Sequence, residues 1–344
     1  RWLFLGCALA MALLLWLTTR LGLARSGLLS TLALATLHRL AVFIPEVSAY
    51  PWSLSWSEGS RFYYASLYFA RQVYGFATPA SVLHPTRYLM QSLPFVIPDL
   101  PLWFHRLWQV LLWLLTTFGC GLLLAWRLRQ RGAPLKSWLP VWALVGWSFL
   151  FLMQGPVYYH LLVMPLLLLW GVQTRRFQRT LAFVLIASAW AGISRINWYP
   201  MPGLIAAALY FLEQPFSTAK HGLGFRGWLA QAVRYLLPPA AWTILGSGTA
   251  YLANLAYIAI SGNPAGHFGS SFTSDLLWYR LYPNPTNPEG ILRSAILISI
   301  PLGLVLHYHF WQQRHVQHPL RLLGQAANLG VLLAAGVVVS VKIG

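Results

Sequence analysis

Acidic residues are scarce in this chain: six Asp and Glu stand against 24 Lys and Arg among 344 residues, giving a formal charge of +18. Charged residues make up only 9% of the sequence and hydrophobic residues 58%, whereas a soluble domain carries roughly a quarter charged residues. Apolar runs long enough to cross a roughly 30 Å hydrocarbon core recur along the chain. This composition predicts a polytopic α-helical membrane protein.

Cysteine and the common catalytic signatures are also rare or missing. Cys7 and Cys120 are the only cysteines and both lie in apolar runs, so no disulfide framework is expected. The sequence has no GxSxG, Walker or HExxH pattern, which leaves hydrolase and zincin functions without support. The four histidines between 307 and 318 have no acid nearby and are not expected to hold a metal.

The positive charge does not indicate a nucleic-acid partner. The basic residues fall mostly in short clusters between apolar runs, which is the pattern of charge flanking a membrane. All but three of the cations are arginines, and arginine binds phosphate and carboxylate through two parallel hydrogen bonds. We therefore expect membrane lipid, and an anionic lipid-linked ligand, as partners.

About ten apolar runs are expected to be membrane helices. They lie near 2–19, 28–44, 103–126, 138–153, 157–172, 180–194, 200–213, 235–261, 291–310 and 322–341. Fourteen cations fall in alternate loops, which the positive-inside rule assigns to the cytoplasm. The opposite side receives the long loops 45–102 and 262–290 and every acid except Glu213.

These patterns predict an all-α fold with a single transmembrane domain over 1–344, whose chemistry lies on the non-cytoplasmic face. Because the sequence begins at Arg1 and ends just after an apolar run, we expect it to be a piece of a longer chain.

Glu58 is the leading candidate for chemistry. It opens the stretch 58–74, whose spacing predicts an amphipathic helix along the membrane surface. A carboxylate near a membrane costs free energy and usually has a function. Glu58 is therefore a candidate general base that would accept a proton from a hydroxyl. The alternatives are a capping box, in which Glu58 reaches back to the N–H of Ser55, and an ion pair with Arg61.

Two other acids in the first long loop are weaker candidates. Asp99, between Pro98 and Pro101, is a second candidate for a catalytic role, but a turn or a helix cap explains it as well. Glu46 follows Pro45 and receives the same two interpretations with less weight on function.

Polar and aromatic residues on the same side of the membrane are candidates for substrate binding. Arginine and histidine together can hold a phosphate and stabilise a leaving group; headgroup contact and aromatic-belt packing are the alternatives. The residues assigned to this role are Arg61, His84, Arg87, Tyr158, Tyr159, His160, Arg195, Asn197 and Lys342.

The layout resembles the GT-C superfamily of membrane glycosyltransferases. The local motifs Trp56–Arg61, His84–Tyr88, Ser194–Trp198 and Ser340–Gly344 also resemble those of bacterial membrane proteins distantly related to that group. The resemblance implies an acid in the first external loop that serves as base or metal ligand, and Glu58 matches it by position. Here Glu58 stands alone, whereas many relatives carry an Asp or two acids, and two apolar runs precede the loop instead of one.

The resemblance implies a transferase of the bacterial plasma membrane that moves a sugar from a polyprenyl-phosphate donor to an acceptor. Glu58 would act as base, and Arg61, Arg87 and Arg195 would hold the leaving phosphate, so no metal or other cofactor is expected. A transporter or flippase, and a polymerase of lipid-linked glycans, are the alternatives. Ionisable residues deep in apolar runs would favour transport; His38 and Arg39 are the main examples. A structural subunit is a third reading.

Overall fold

The computed structural model describes residues 2–54, 57–130, 138–154, 158–214, 225–264 and 282–285, and within these ranges the chain is helical and contains no strand. The helices are α1 (Trp2–Thr18), α2 (Leu23–Ala41), α3 (Glu58–Ser66), α4 (Ala70–Tyr74), α5 (Pro85–Gln91), α6 (Leu102–Gln130), α7 (Trp138–Gln154), α8 (Tyr159–Gly171), α9 (Phe177–Ser194), α10 (Met201–Glu213) and α11 (Phe225–Ser261).

Eight of the ten predicted apolar runs coincide with helices, namely α1, α2 and α6 to α11. The runs 291–310 and 322–341 lie outside the described residues. Among the described helices, three are long and apolar enough to cross a membrane: Leu102–Gln130, Phe177–Ser194 and Leu229–Ser261. The helices α1, α7, α8 and α10 are apolar but shorter. The fold over the described residues is therefore all-helical, and its longest apolar helices indicate a membrane-associated protein.

The chain divides into two compact units, Arg1–Trp170 and Gly171–Gly344. In the first unit α2 packs against α1 and α7, and α7 packs against α6. Small side chains allow these helices to approach closely, because Ala8 and Ala12 of α1 and Ser26 and Ser30 of α2 are all buried.

The helix α6 carries its polar residues without breaking its apolar surface. Thr116 and Thr117 donate their hydroxyls to the carbonyls of Leu112 and Trp113, one turn back, at 2.7 and 2.6 Å. This local pairing satisfies each hydroxyl without a partner from another helix. At the far end Arg127, which the sequence assigned to a loop, lies inside the helix and donates to the carbonyl of Leu169 at 3.1 Å.

The first long loop is more folded than its sequence predicted. The helix expected over 58–74 is interrupted: α3 ends at Ser66, a 3-10 turn spans Leu67–Phe69, and α4 follows. Gly75, in the left-handed conformation with φ of 79°, ends α4 as glycine commonly does. Tyr68 donates to the carbonyl of Pro85 at 3.0 Å, which ties this segment to α5.

In the described part of the second unit, α9, α10 and α11 contact one another in pairs. Two glycines lie where these helices approach closely: a side chain on Gly192 would collide with the backbone of Ala250, and one on Gly203 with that of Thr243. Trp242 is completely buried beside the rings of Phe177 and Tyr210. Close packing of this kind is typical of helices that associate in a membrane.

Candidate functional site

The strongest polar feature of the first unit is a buried guanidinium, that of Arg106, in the second turn of α6. Its Nε–H donates to Glu58 Oε1 at 2.8 Å and its Nη2 donates to Glu58 Oε2 at 3.2 Å. Nη1 donates to the carbonyls of Ser48 and Tyr50, both at 2.7 Å, and Nη2 also donates to the carbonyl of Trp52 at 2.9 Å. The five N–H donors of arginine are thus matched by five acceptors.

The carboxylate of Glu58 is bound by Arg106, and Glu58 does not form the predicted capping box. The helix α3 begins at Glu58 after Ser57, whereas the capping box requires Glu58 in the third helical position. Its carboxylate accepts the N–H of Leu54 at 2.6 Å in addition to the two bonds from Arg106. The capping prediction is therefore wrong, and the ion pair that forms is with Arg106, not Arg61.

The environment of Glu58 keeps the carboxylate ionised. Burial by itself raises the pKa, but the hydrogen bonds from Arg106 and Leu54 and the charges of Arg106 and Arg61 outweigh it, so the pKa lies below its usual value. The pair is well shielded, since the exposed fractions of the two side chains are 9% for Glu58 and 3% for Arg106. Glu58 is thus ionised at neutral pH.

Glu58 faces a cavity of about 240 Å³ in the first unit. Three arginines and two glutamates line this cavity together with apolar and amide side chains. The lining residues are Arg39, Phe43, Glu46, Leu54, Glu58, Arg61, Arg106, Gln109, Val110, Trp113 and Met153. Glu46, Glu58 and Arg61 belong to the segment between α2 and α6. Arg39 belongs to α2 and Arg106 to α6, the two helices that flank this segment.

Glu46 is the second carboxylate of this cavity, and its environment differs from that of Glu58. It lies just after α2 and is exposed to solvent while lining the cavity, so the cavity reaches the surface there. Within the described residues its carboxylate has no hydrogen bond and no ion pair. Its partial burial in the cavity raises its pKa, the charge of Glu58 adds to this, and the charges of Arg39 and Arg61 oppose the rise without cancelling it.

An aromatic and basic cluster lies nearby in the same unit. The guanidinium of Arg87 stands over the ring of Tyr158 at 4.3 Å, a cation–π contact. Tyr159 donates to the carbonyl of Arg87 at 3.3 Å, and the rings of His84 and His160 are 5.9 Å apart. These five residues were predicted as separate substrate-binding positions, and the fold brings them together.

Arg61 and Trp113 connect this cluster to the cavity. Both residues line the cavity. The charge of Arg87 lowers the pKa of Arg61, after the larger effect of burial, and Trp113 contacts the rings of Tyr158 and Tyr159 at 5.8 and 5.5 Å. The predicted site residues of the first unit, apart from Asp99, therefore form one continuous region.

The remaining predicted residues lie elsewhere. Asp99 is exposed in a turn, with φ of 59°, and does not line the cavity; aspartate tolerates this left-handed conformation better than most residues. Arg195 follows the last residue of α9 in the second unit, and Asn197 lies in the 3-10 turn Ile196–Trp198. Lys342 is outside the described residues, as is most of the loop 262–290.

The sequence interpretation missed Arg106 altogether. This residue lies inside the predicted run 103–126 and was treated as part of an apolar helix. A signal was available, because a lone arginine in an apolar run is costly unless it is paired. Arg39 was noticed by that reasoning but was not linked to Glu46 or Glu58, since only the fold brings α2 and the loop together.

Within the described part of the chain, no three His, Cys, Asp or Glu side chains are grouped so that they could hold a metal ion. Comparison of the chain with family models, curated proteins and solved structures finds no match.

Proposed function

We propose that this protein is a GT-C-like integral membrane glycosyltransferase of the bacterial plasma membrane. It would move a sugar from a polyprenyl-phosphate donor to an acceptor on the non-cytoplasmic face. The supporting observation is the cavity, which combines an ionised carboxylate with arginines in a chain whose apolar helices are long enough to cross a membrane.

The proposed reaction needs a proton acceptor and a stabilised leaving group. The acceptor oxygen forms a bond to the anomeric carbon while the bond from that carbon to the phosphate oxygen breaks. The electron pair leaves with the phosphate, whose charge arginines stabilise. Glu58 takes the proton of the acceptor hydroxyl; it is ionised, and Arg106 fixes its orientation, although its lowered pKa makes it a weaker base than an unpaired carboxylate.

The test is transfer by the protein reconstituted in vesicles of bacterial lipid, with a polyprenyl-phosphate donor carrying a labelled sugar. Glu58→Gln is expected to lower kcat by about 10²-fold or more, the usual contribution of a general base, with a smaller effect on KM. Full activity of this variant would remove Glu58 from the role of base. Failure of the wild-type protein to release sugar from the donor would reject the transferase.

Transport of a lipid-linked glycan is the second function, and Arg39 is the residue that favours it. A cation in an apolar helix is typical of a translocation pathway. However, Arg39 lies in the last turn of α2 rather than in the middle of the helix. The same vesicles distinguish the two functions, because a flippase would move the intact donor between leaflets with its glycosidic bond unbroken.

A further inference from the structure

Residues 48–54, which we call the aromatic segment, lie between α2 and α3 and form no helix. They include no charged residue. The side chains of Tyr50 and Trp52 are large and mostly apolar, yet 52% and 71% of their surfaces are exposed. Two aromatic rings exposed so close together indicate a surface that contacts something outside the chain.

The backbone of the aromatic segment is bonded to the protein although its rings are exposed. Three of its carbonyls accept hydrogen bonds from the guanidinium of Arg106 at 2.7, 2.7 and 2.9 Å, namely those of Ser48, Tyr50 and Trp52. The N–H of Leu54 donates to Glu58 at 2.6 Å. Within the described residues, the hydrogen bonds of the segment to other elements go to these two side chains.

This division between backbone and side chains fits a membrane surface. Lipid offers few hydrogen-bonding partners, so irregular backbone approaches it only where the protein itself satisfies the polar groups. The ion pair of Arg106 and Glu58 does this for the aromatic segment. Tyrosine and tryptophan are typical of the membrane–water interface, where the ring contacts apolar chains and its polar atom stays hydrated.

The position of Arg106 in α6 sets the depth of the aromatic segment. The helix α6 has 29 residues, so at about 1.5 Å per residue it exceeds a roughly 30 Å hydrocarbon core by about one turn at each end. Arg106 lies in the second turn, so the carbonyls that it binds lie near the boundary between hydrocarbon and headgroups. Trp103, exposed in the first turn of the same helix, is a third aromatic ring typical of that level.

We propose that the aromatic segment lies in the hydrated headgroup region of the membrane, with the rings of Tyr50 and Trp52 against lipid and its backbone held by Arg106. Because Leu54 of the same segment lines the cavity, this contact keeps one wall of the cavity at the level of the headgroups. The inference goes beyond the proposed function, since the contact with lipid requires no sugar transfer.

The experiment is a depth measurement by electron paramagnetic resonance on the protein in vesicles of bacterial lipid. Tyr50→Cys and Trp52→Cys are made singly in a background with Cys7→Ala and Cys120→Ala, and each cysteine receives a nitroxide label. Collision of the label with oxygen, which concentrates in lipid, is compared with its collision with a water-soluble nickel chelate.

Two references fix the scale of this measurement. Leu115→Cys, exposed near the middle of α6, gives the value for hydrocarbon, and free cysteine with the same label gives the value for water. The ratio of oxygen to nickel collision at positions 50 and 52 is expected to lie between the two references. Ratios equal to that of free cysteine overturn the proposal, and this is the result expected if the rings form a stacking surface for a soluble saccharide.

The role of Arg106 is tested with Arg106→Lys in the labelled proteins. Lysine keeps the charge that faces Glu58 but has three donors in place of five and no planar fork, so it cannot bind all of the carbonyls. Both labels are expected to move faster and to shift toward the value for water. The matched control is Arg71→Lys, which makes the same change at an exposed position in α4 and should alter neither label.

The proposal is also overturned if Arg106→Lys leaves the two labels as Arg71→Lys does. The depth comparison itself uses the chain with Arg106 in place, so it decides the lipid contact whatever Arg106→Lys does to folding. Labels at headgroup depth in a protein that transfers no sugar would reject the proposed function and retain this inference.

Discussion

Two carboxylates of one cavity, Glu46 and Glu58, differ in almost every property that decides what a carboxylate does. Glu58 is buried and accepts three hydrogen bonds, two of them from Arg106. Glu46 is exposed and unpaired within the described residues. Their pKa values are displaced in opposite directions, and such a divergence is the usual basis for different roles in one site. Hydrogen bonds and nearby arginines favour the ionised form of Glu58, whereas burial opposes the ionised form of Glu46.

This difference predicts opposite effects of two matching substitutions on stability. The pKa of Glu58 is lowered in the folded state, so its stabilisation is present above the unfolded pKa of about 4.5 and is lost as the pH falls through the folded value. Glu58→Gln should therefore lower the thermal midpoint at neutral pH, at a cost of about 1.5–3 kcal/mol for the charge-assisted hydrogen bonds. The difference from wild type should disappear in acid.

Glu46→Gln should have the opposite sign. Because the pKa of Glu46 is raised in the folded state, its ionisation destabilises the protein above that pKa. The variant is expected to unfold at a slightly higher temperature than wild type at neutral pH and at the same temperature in acid. Midpoints of the full chain in detergent, measured across this pH range, test both variants, and equal shifts of one sign would contradict the assignment.

The residue-level chemistry was only partly accessible from the sequence. Glu58 was found because acids are rare in the chain, but its partner Arg106 is 48 positions away. No local pattern links them, since the carbonyls of Ser48, Tyr50 and Trp52 that complete the guanidinium's bonding belong to irregular backbone. The role of Glu46 was underestimated for the same reason, because its environment is created by α2, α3 and α6 together.

At the level of the helices, hydrophobic runs were sufficient to locate the elements. The eight helices predicted from apolar runs form because an apolar segment of this length satisfies its backbone internally wherever it is buried or in lipid. The stretch 58–74 was predicted as one helix and is broken at Leu67–Phe69. Its periodicity could not show this break, because a 3-10 turn changes the register by only a fraction of a turn.

Two glycines in the second unit lead to a prediction about how substitutions affect helix packing. A Cβ at Gly192 would meet the backbone of Ala250, and one at Gly203 the backbone of Thr243, and backbone cannot rotate away as a side chain can. Gly192→Ala and Gly203→Ala are each expected to destabilise the protein by about 1–3 kcal/mol through overpacking.

The control for these variants lies in α11 itself. Gly248 has no neighbouring atom within 4 Å of an added Cβ, so Gly248→Ala should be neutral or stabilising by about 0.5–1 kcal/mol. Thermal midpoints of the three variants in detergent distinguish the two classes. A loss of stability in Gly248→Ala equal to that in Gly192→Ala would show that the close approach of α9 to α11 is not the cause.

On the scale of the whole molecule, the distribution of charge predicts which ends of the helices share a side of the membrane. The helix α6 has 29 residues, about 44 Å at 1.5 Å per residue, which exceeds a roughly 30 Å hydrocarbon core. The loop before it carries Glu46 and Glu58, and its last turn carries Arg127 and Arg129. The positive-inside rule places this last turn in the cytoplasm and the cavity outside.

Cysteine labelling tests this orientation within the first unit. In a background with Cys7→Ala and Cys120→Ala, single substitutions Ala49→Cys, Arg20→Cys and Arg129→Cys are made at positions that are all exposed. A membrane-impermeant maleimide added to intact bacterial cells should modify Ala49→Cys, and should reach Arg20→Cys and Arg129→Cys only after the membrane is permeabilised. Labelling of Ala49→Cys and Arg129→Cys from the same side would contradict a crossing by α6. Labelling of Arg20→Cys from the side opposite to Arg129→Cys would contradict the charge rule for this chain, and with it the placement of the cavity on the non-cytoplasmic face.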